Sequence, residues 1–182
     1  MGTERPWYRE PETFIAVAAL IVSVTAVAVG IYEAWLQRAH DRAEVWPRLE
    51  VSTWTADSGA TLRIDNTGLG PAVVNYIGIT VDGRAKPDWK SVLATLYGDS
   101  LPPFGQSTVF QRALRPGDLH SMVHLPPRYV PANFWTWVHR VTVRVCYSSV
   151  FGDNWMVVDT LGESNKWSEA RNCPDEPPNV HF

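Results

Sequence analysis

The sequence predicts a single N-terminal transmembrane α-helix followed by a mainly β domain, an antiparallel immunoglobulin-like β-sandwich with one short inserted helix. Three observations carry this expectation. Residues Phe14 to Tyr32 read FIAVAALIVSVTAVAVGIY, nineteen residues without a charge. Beyond Trp46 the apolar pattern changes from helical spacing to alternation at every second position. Gly, Pro, Asn and Asp then recur between the alternating runs and cut them into short strands. The chain is thereby divided into an N-terminal flank (1–13), a transmembrane helix (14–36), a juxtamembrane helical extension (37–46), a sandwich (47–162) and an irregular tail (163–182).

Composition sets the outer limits. The 182 residues suffice for one ordinary domain and a short extra element. The formal net charge is −3 and no run of Lys or Arg is long enough to track a phosphate backbone, so nucleic acid is not an expected partner. Two Cys and five His, with no CxxC or HExxH spacing, lead us to expect no metal and no cofactor. The nine Trp are scattered, and they suit both a sandwich core and a membrane interface.

The helix comes first. Nineteen helical residues rise about 28 Å, close to the ~30 Å hydrocarbon core of a bilayer. Trp7 and Tyr8 precede the run and Tyr32 and Trp35 close it, as amphipathic rings favour the two headgroup layers. A surface helix of a soluble domain would show a polar face, and this one is apolar all round, as a membrane span is. Ala26-Val27-Ala28 is similar to a signal-peptidase site. Against cleavage, Glu4, Glu10 and Glu12 offset Arg5 and Arg9, and the apolar run continues past Ala28. One uncleaved span is the expectation, with the lipid bilayer as a partner. Ala16, Ala19, Ser23, Ala26 and Gly30, spaced 3, 4, 3 and 4 apart, line one stripe of the helix. Such stripes let a second backbone approach closely, which points to packing on another copy or another membrane protein. EAWLQRAHDRAEVW then carries the helix out of the lipid until it stops ahead of Pro47.

Charge does not orient the span. Arg5, Arg9 and the terminal amine stand before it, and Arg38, Arg42 and Arg48 after it. Cysteine leaves two readings open: a disulfide tying Cys173 in the tail to Cys146 in a strand, or two unrelated thiols. The first would need an oxidising compartment, so the balance tips toward a periplasmic or extracellular domain.

In the domain, RLEVSTW (48–54) and TLRIDN (61–66) alternate as half-buried strands do. AVVNYIGITVDG (72–83) is a longer strand ending in an Asp82-Gly83 turn. PDWKSVLATLYG (87–98) breaks the pattern with helical spacing after Pro87 and forms the inserted helix. STVFQRAL (107–114), LHSMVHL (119–125), RVTVRVCYSSVF (140–151) and WMVVDTL (155–161) complete seven strands, with a Pro-rich connector before the third of these four.

DNTGLGPAVVNYIGITVDG (65–83) is the one stretch that looks like a phosphate loop. Such a loop needs a helix after its glycines, whereas here a β-branched run follows, with no Lys-Ser or Lys-Thr and no third glycine of a dinucleotide fingerprint. A structural turn accounts for each residue: Asn66 ends a strand through side-chain hydrogen bonds, Gly68 and Gly70 supply unusual backbone angles, and Pro71 opens the next strand. AHDRAEVWPRLEV after a single span, NTGLGPAVV, and VRVCYSSVFGDNW together resemble a group of uncharacterised bacterial single-span membrane proteins. That group has an RxxVWPxLEV-like exit, an NxGxGPA turn and a late CYxSVxGxxW hairpin. The resemblance covers about 14–160 and implies location, a bacterial inner membrane, and fold, with no activity to carry over. NxGxGPA is also similar to a turn in adhesion-type immunoglobulin-like modules.

Residues able to do chemistry are few. His120 and His124 on one strand would share a face about 13 Å apart, too far for one ion. Asp153, Asp159 and Glu163 read as turn and surface residues. Ser148 and Ser149 lack a GxSxG frame. Arg144 shares a strand face with Cys146, although a structural cysteine explains that position better. Phe134, Trp135 and Trp137 form an aromatic cluster that would cap the sandwich or stack on a sugar or peptide. The expected role is a non-catalytic, membrane-anchored accessory or protein-interaction subunit. The alternative is a ligand-sensing or carbohydrate-binding module.

Overall fold

The computed structural model describes residues 11–98, 100–175 and 182. The chain forms two compact units, one through Ala43 and the other from Glu44 onward. The first is helix α1, Pro11–Glu44, 34 residues long. Its apolar window has a mean hydropathy of 2.7 with nothing buried inside the protein, so it is long and apolar enough to cross a membrane. Thr25 donates its hydroxyl to the Ile21 carbonyl at 2.8 Å, leaving no unpaired polar hydrogen on that side chain.

The second unit is built from two antiparallel sheets whose inner faces share one core. One sheet runs β1 (Leu49–Ala56), β2 (Gly59–Asn66), β7 (Leu119–Leu125), β5 (Gly105–Gln106). The other runs β10 (Lys166–Ala170), β9 (Asn154–Thr160), β8 (Val141–Ser148), β3 (Ala72–Val81), β4 (Arg84–Lys86), with β6 (Ala113–Leu114) also on β3. Alternation fixes the inward faces, as expected for strands wet on one side. Val51, Leu62, Ile64, Ile77, Ile79, Val143 and Val145 are buried, while Ser52, Arg63 and Thr80 between them are not. The β3–β4 hairpin turns on Asp82 and Gly83, whose φ values of 51° and 75° match the favoured two-residue turn. Arg140 then holds the Asp82 carboxylate through Nε and Nη2.

The inserted helix is α2, Trp89–Tyr97, shorter at both ends than the 87–98 stretch. Asp88 caps it, its Oδ1 accepting from the Ser91 N–H at 2.6 Å, and Gly98 ends it at φ 72°. The Pro-rich connector holds a 3-10 turn, Pro127–Tyr129, and helix α3, Phe134–Val138.

Three expectations need correction. STVFQRAL is not one strand. Its segment leaves β5 in one sheet and joins β6 in the other, and by Gln111, at φ 56°, it already donates an N–H to the Val74 carbonyl of the second sheet. The tail from 163 is not wholly irregular, because β10 pairs with β9 along Lys166–Ala170. Its exposed, charged sequence hides the strand, which is stabilised by partners distant in sequence. Asn165 Oδ1 accepts from the Val51 N–H and its Nδ2 donates to the Val51 carbonyl, both at 2.9 Å, as a neighbouring strand would. Trp167 Nε1 donates to the Leu49 carbonyl at 2.8 Å, so side chains from the tail satisfy the open edge of β1. Finally, ten strands replace the seven expected among the described residues, the additions being short or edge pieces.

Candidate functional site

Between α2, α3 and the inner faces of both sheets lies a cavity of about 60 Å³. Trp89, Leu93, Leu96 and Tyr97 line it from α2, and Phe134, Trp137 and Val138 from α3. Thr53, Leu62, Val123 and Val141 come from the sheets. One turn of α3 decides how the aromatic cluster is divided, because residues three apart share a helix side. Phe134 and Trp137 therefore face the cavity, whereas Trp135 stands 51 % exposed outside it, its ring 5.5 Å from that of Phe134. Trp137 meets Tyr97 edge to face at 4.8 Å. Tyr97 also donates its hydroxyl to the Tyr129 carbonyl at 2.5 Å, and burial raises its pKa.

The walls are apolar and the space is small. Pockets for small molecules usually run to several hundred Å³, and an engineered apolar cavity of about 150 Å³ holds a benzene. Sixty suits a methyl- or isopropyl-sized group on a partner. Two polar atoms of wall residues, Trp89 Nε1 and Thr53 Oγ1, are buried without a hydrogen-bond partner. Trp89 itself is 2 % exposed.

Asn66, Gly68, Gly70 and Pro71 do form a turn, for a reason different from the expected one. Neither glycine has positive φ. A Cβ at Gly68 would stand 2.2 Å from the Arg48 nitrogen, and one at Gly70 would stand 1.8 Å from the Val45 carbonyl oxygen. Close backbone approach, not backbone angle, requires glycine here. Asn66 is 1 % exposed. Its Oδ1 accepts from the Gly68 and Arg48 N–H groups at 3.0 and 3.3 Å, and its Nδ2 donates to the Gly70 and Leu114 carbonyls at 2.9 Å each.

His120 and His124 do not share a strand face. The β2–β7 register slips between Leu62 and Arg63, so His120 lies across from inward Ile64 and His124 across from outward Thr61. A bulge reverses side-chain parity, and no alternation rule reports where one falls. Burial and nearby Arg112 lower the His120 pKa. His124 Nδ1 lies 2.9 Å from the Thr61 hydroxyl. Among the described residues no three His, Cys, Asp or Glu side chains are grouped to hold a metal ion.

Asp159 is not the turn or surface residue expected. It is 2 % exposed, on the same strand face as buried Val157 and Leu161. Burial, with the nearby Glu163 charge, raises its pKa to about 6. The signal was there in WMVVDTL, where alternation already put the carboxylate on the core face.

Cys146 and Cys173 form a disulfide with Cα atoms 5.6 Å apart. A reactive thiolate beside Arg144 is thus not the state of Cys146. On α1, Tyr32 and Trp35 lie 6.5 Å apart, and Ala16, Ala19, Ser23, Ala26 and Gly30 are exposed along the helix. Trp7 and Tyr8 lie outside the described residues. No protein-family model, curated protein or solved structure matches the chain.

Proposed function

We propose that this chain is a single-pass protein of the bacterial inner membrane whose β domain, held outside the cytoplasm, binds another protein and performs no catalysis. One observation carries the reading: a helix long and apolar enough to cross a membrane, with none of its apolar window buried, continues into a disulfide-tied β domain. Disulfides persist in oxidising compartments, which supports export of the domain. Two antiparallel sheets joined by a crossing between them support the immunoglobulin-like assignment within the same proposal. The small-residue stripe on α1 offers a second contact, with another copy or another membrane protein. The resemblance to bacterial single-span proteins is consistent with this placement.

The α2–α3 cavity is where the partner would engage, since a space this size accepts one apolar side chain at the centre of a larger contact. A photo-crosslinking residue placed at exposed Trp135 in cells tests it. A reproducible adduct with one membrane or envelope protein is the expected outcome. No adduct at Trp135, with normal insertion of the chain, would end the reading.

A second reading is ligand sensing, favoured by the unpartnered Trp89 N–H and Thr53 hydroxyl. The apolar walls point to a small apolar ligand with one hydrogen-bond acceptor, not to a sugar. Thermal protection by such a compound, lost in Thr53→Val, would support it over the first.

A further inference from the structure

The exposed apolar side chains of the β domain are not spread evenly. Trp46, Leu69, Leu119, Val150 and Phe151 are 51, 72, 56, 60 and 47 % exposed, and all five belong to one end of the two sheets. Strand register defines that end. Leu49 opens β1 across from Asn66, and Leu119 opens β7 across from Asp65. Ser148 closes β8 across from Val73, so the hairpin tip that follows it reaches the level of Gly70 and Pro71. Gly70 lies against the Val45 carbonyl, and Leu69 donates its N–H to the Trp46 carbonyl at 2.9 Å. Val45 directly follows Glu44, the last residue of α1.

The opposite end has only polar turns, whereas the apolar end carries one polar turn, 115–118, beside its five apolar side chains. The turns of the opposite end present Asp57-Ser58, Asp82-Gly83 and Gly162-Glu163-Ser164, all exposed. Among the described residues, three large apolar side chains remain exposed elsewhere in the domain. Trp54 and Trp167 lie under the guanidinium groups of Arg63 and Arg48, at 4.9 and 4.0 Å. Trp135 is beside the cavity.

Val150 and Phe151 are the sharpest case. Hairpin tips favour Gly, Asn, Asp and Ser, and two adjacent large apolar residues there add little to the core. The tip is nevertheless closed by hydrogen bonds. Ser149 donates its N–H to the Asp153 carbonyl at 2.9 Å, and its hydroxyl accepts from the Phe151 N–H at 3.1 Å.

We propose that this end of the domain rests in the headgroup layer of the membrane that α1 spans, with Trp46, Leu69, Val150 and Phe151 against lipid. The inference rests on reading α1 as a membrane span. Aromatic and aliphatic side chains on a tethered surface favour that layer. The polar helical segment from Gln37 to Glu44 rises only about 12 Å, which keeps the start of the domain close to the surface.

The test uses the full chain in phosphatidylcholine vesicles. Both native cysteines are paired, so one added cysteine takes a nitroxide label, at Phe151→Cys, Asp57→Cys or Val24→Cys in separate proteins. Collision with oxygen, which concentrates in lipid, is compared with collision with a water-soluble nickel chelate. The label at 151 should meet oxygen severalfold more than nickel, relative to the label at 57. Equal nickel access at 151 and 57, with 24 shielded from nickel and open to oxygen, overturns the inference and leaves the span standing. Protection of 151 from both reagents means cover by protein and also overturns it. Nickel access at 24 would instead refute the membrane span.

Discussion

Asn66 joins the two sheets where they begin. Its four side-chain hydrogen bonds reach Arg48 ahead of β1, Gly68 and Gly70 in the turn, and Leu114 in β6. Asn66→Ala would leave two N–H groups and two carbonyls without these partners at a buried position. A lost buried partner costs about 1–3 kcal/mol, and water recovers part of the set. We expect the substitution to destabilise the domain by roughly 3 kcal/mol, read from denaturant unfolding in detergent. A change under about 0.5 kcal/mol would mean that the turn holds without it. Asp159 gives a pH-dependent prediction. Burial favours its neutral acid, so the folded protein keeps a proton that an unfolded chain, with an ordinary value of 3.8, releases earlier. Its penalty is absent below about pH 4, grows as pH rises toward about 6, and is complete above that. Stability from this group therefore falls with rising pH across that window, by about 3 kcal/mol at most. Asp159→Asn should flatten the profile between pH 4 and 6 and raise the melting temperature at pH 7. An unchanged profile would show that the carboxylate is solvated in the folded state.

Among the elements, β10 is the one whose existence depends on the rest of the fold. Five residues, KWSEA, carry no continuous apolar face of their own. Their strand form follows from pairing with β9, from the side-chain bonds of Asn165 and Trp167 to β1, and from the disulfide just beyond it. Closing a loop with 27 residues of separation restricts the unfolded chain by about 3.5 kcal/mol in the chain-entropy account. Cys146→Ser with Cys173→Ser should lower stability by about that amount and increase hydrogen exchange in β10 before any other strand. If exchange in β10 is unchanged, pairing alone holds the strand. Helix α1 raises a separate prediction. Ala26→Leu with Gly30→Leu fills the small-residue stripe and should reduce self-association or partner association in membranes severalfold. Unchanged association would assign the stripe to composition alone.

For the molecule as a whole, compartment decides which partners are available, and the disulfide makes compartment measurable. A membrane-impermeant maleimide applied to intact cells should label the cysteines only after reductant is added. Labelling that requires cell lysis and no reductant would place the domain in the cytoplasm and remove the envelope from its range of partners.

Much of this architecture is legible in the sequence because it depends on local properties of the chain. A charge-free run of nineteen residues determines a membrane-length helix through its hydropathy alone. Alternation in RLEVSTW, TLRIDN and RVTVRVCYSS determines strands and their inward faces, and Asp82-Gly83 determines its own turn. Other features depend on segments far apart in the chain, and only tertiary structure decided them. The bulge that turns His120 away from His124 arises in pairing with β2. The need for glycine at 68 and 70 comes from the backbone of Val45 to Arg48. β10 exists because β9 and β1 accept it, and the cavity exists because α2 and α3 meet over the core. Local sequence fixes what a segment prefers to be, whereas a bulge, a close backbone approach or a void is a property of two segments together.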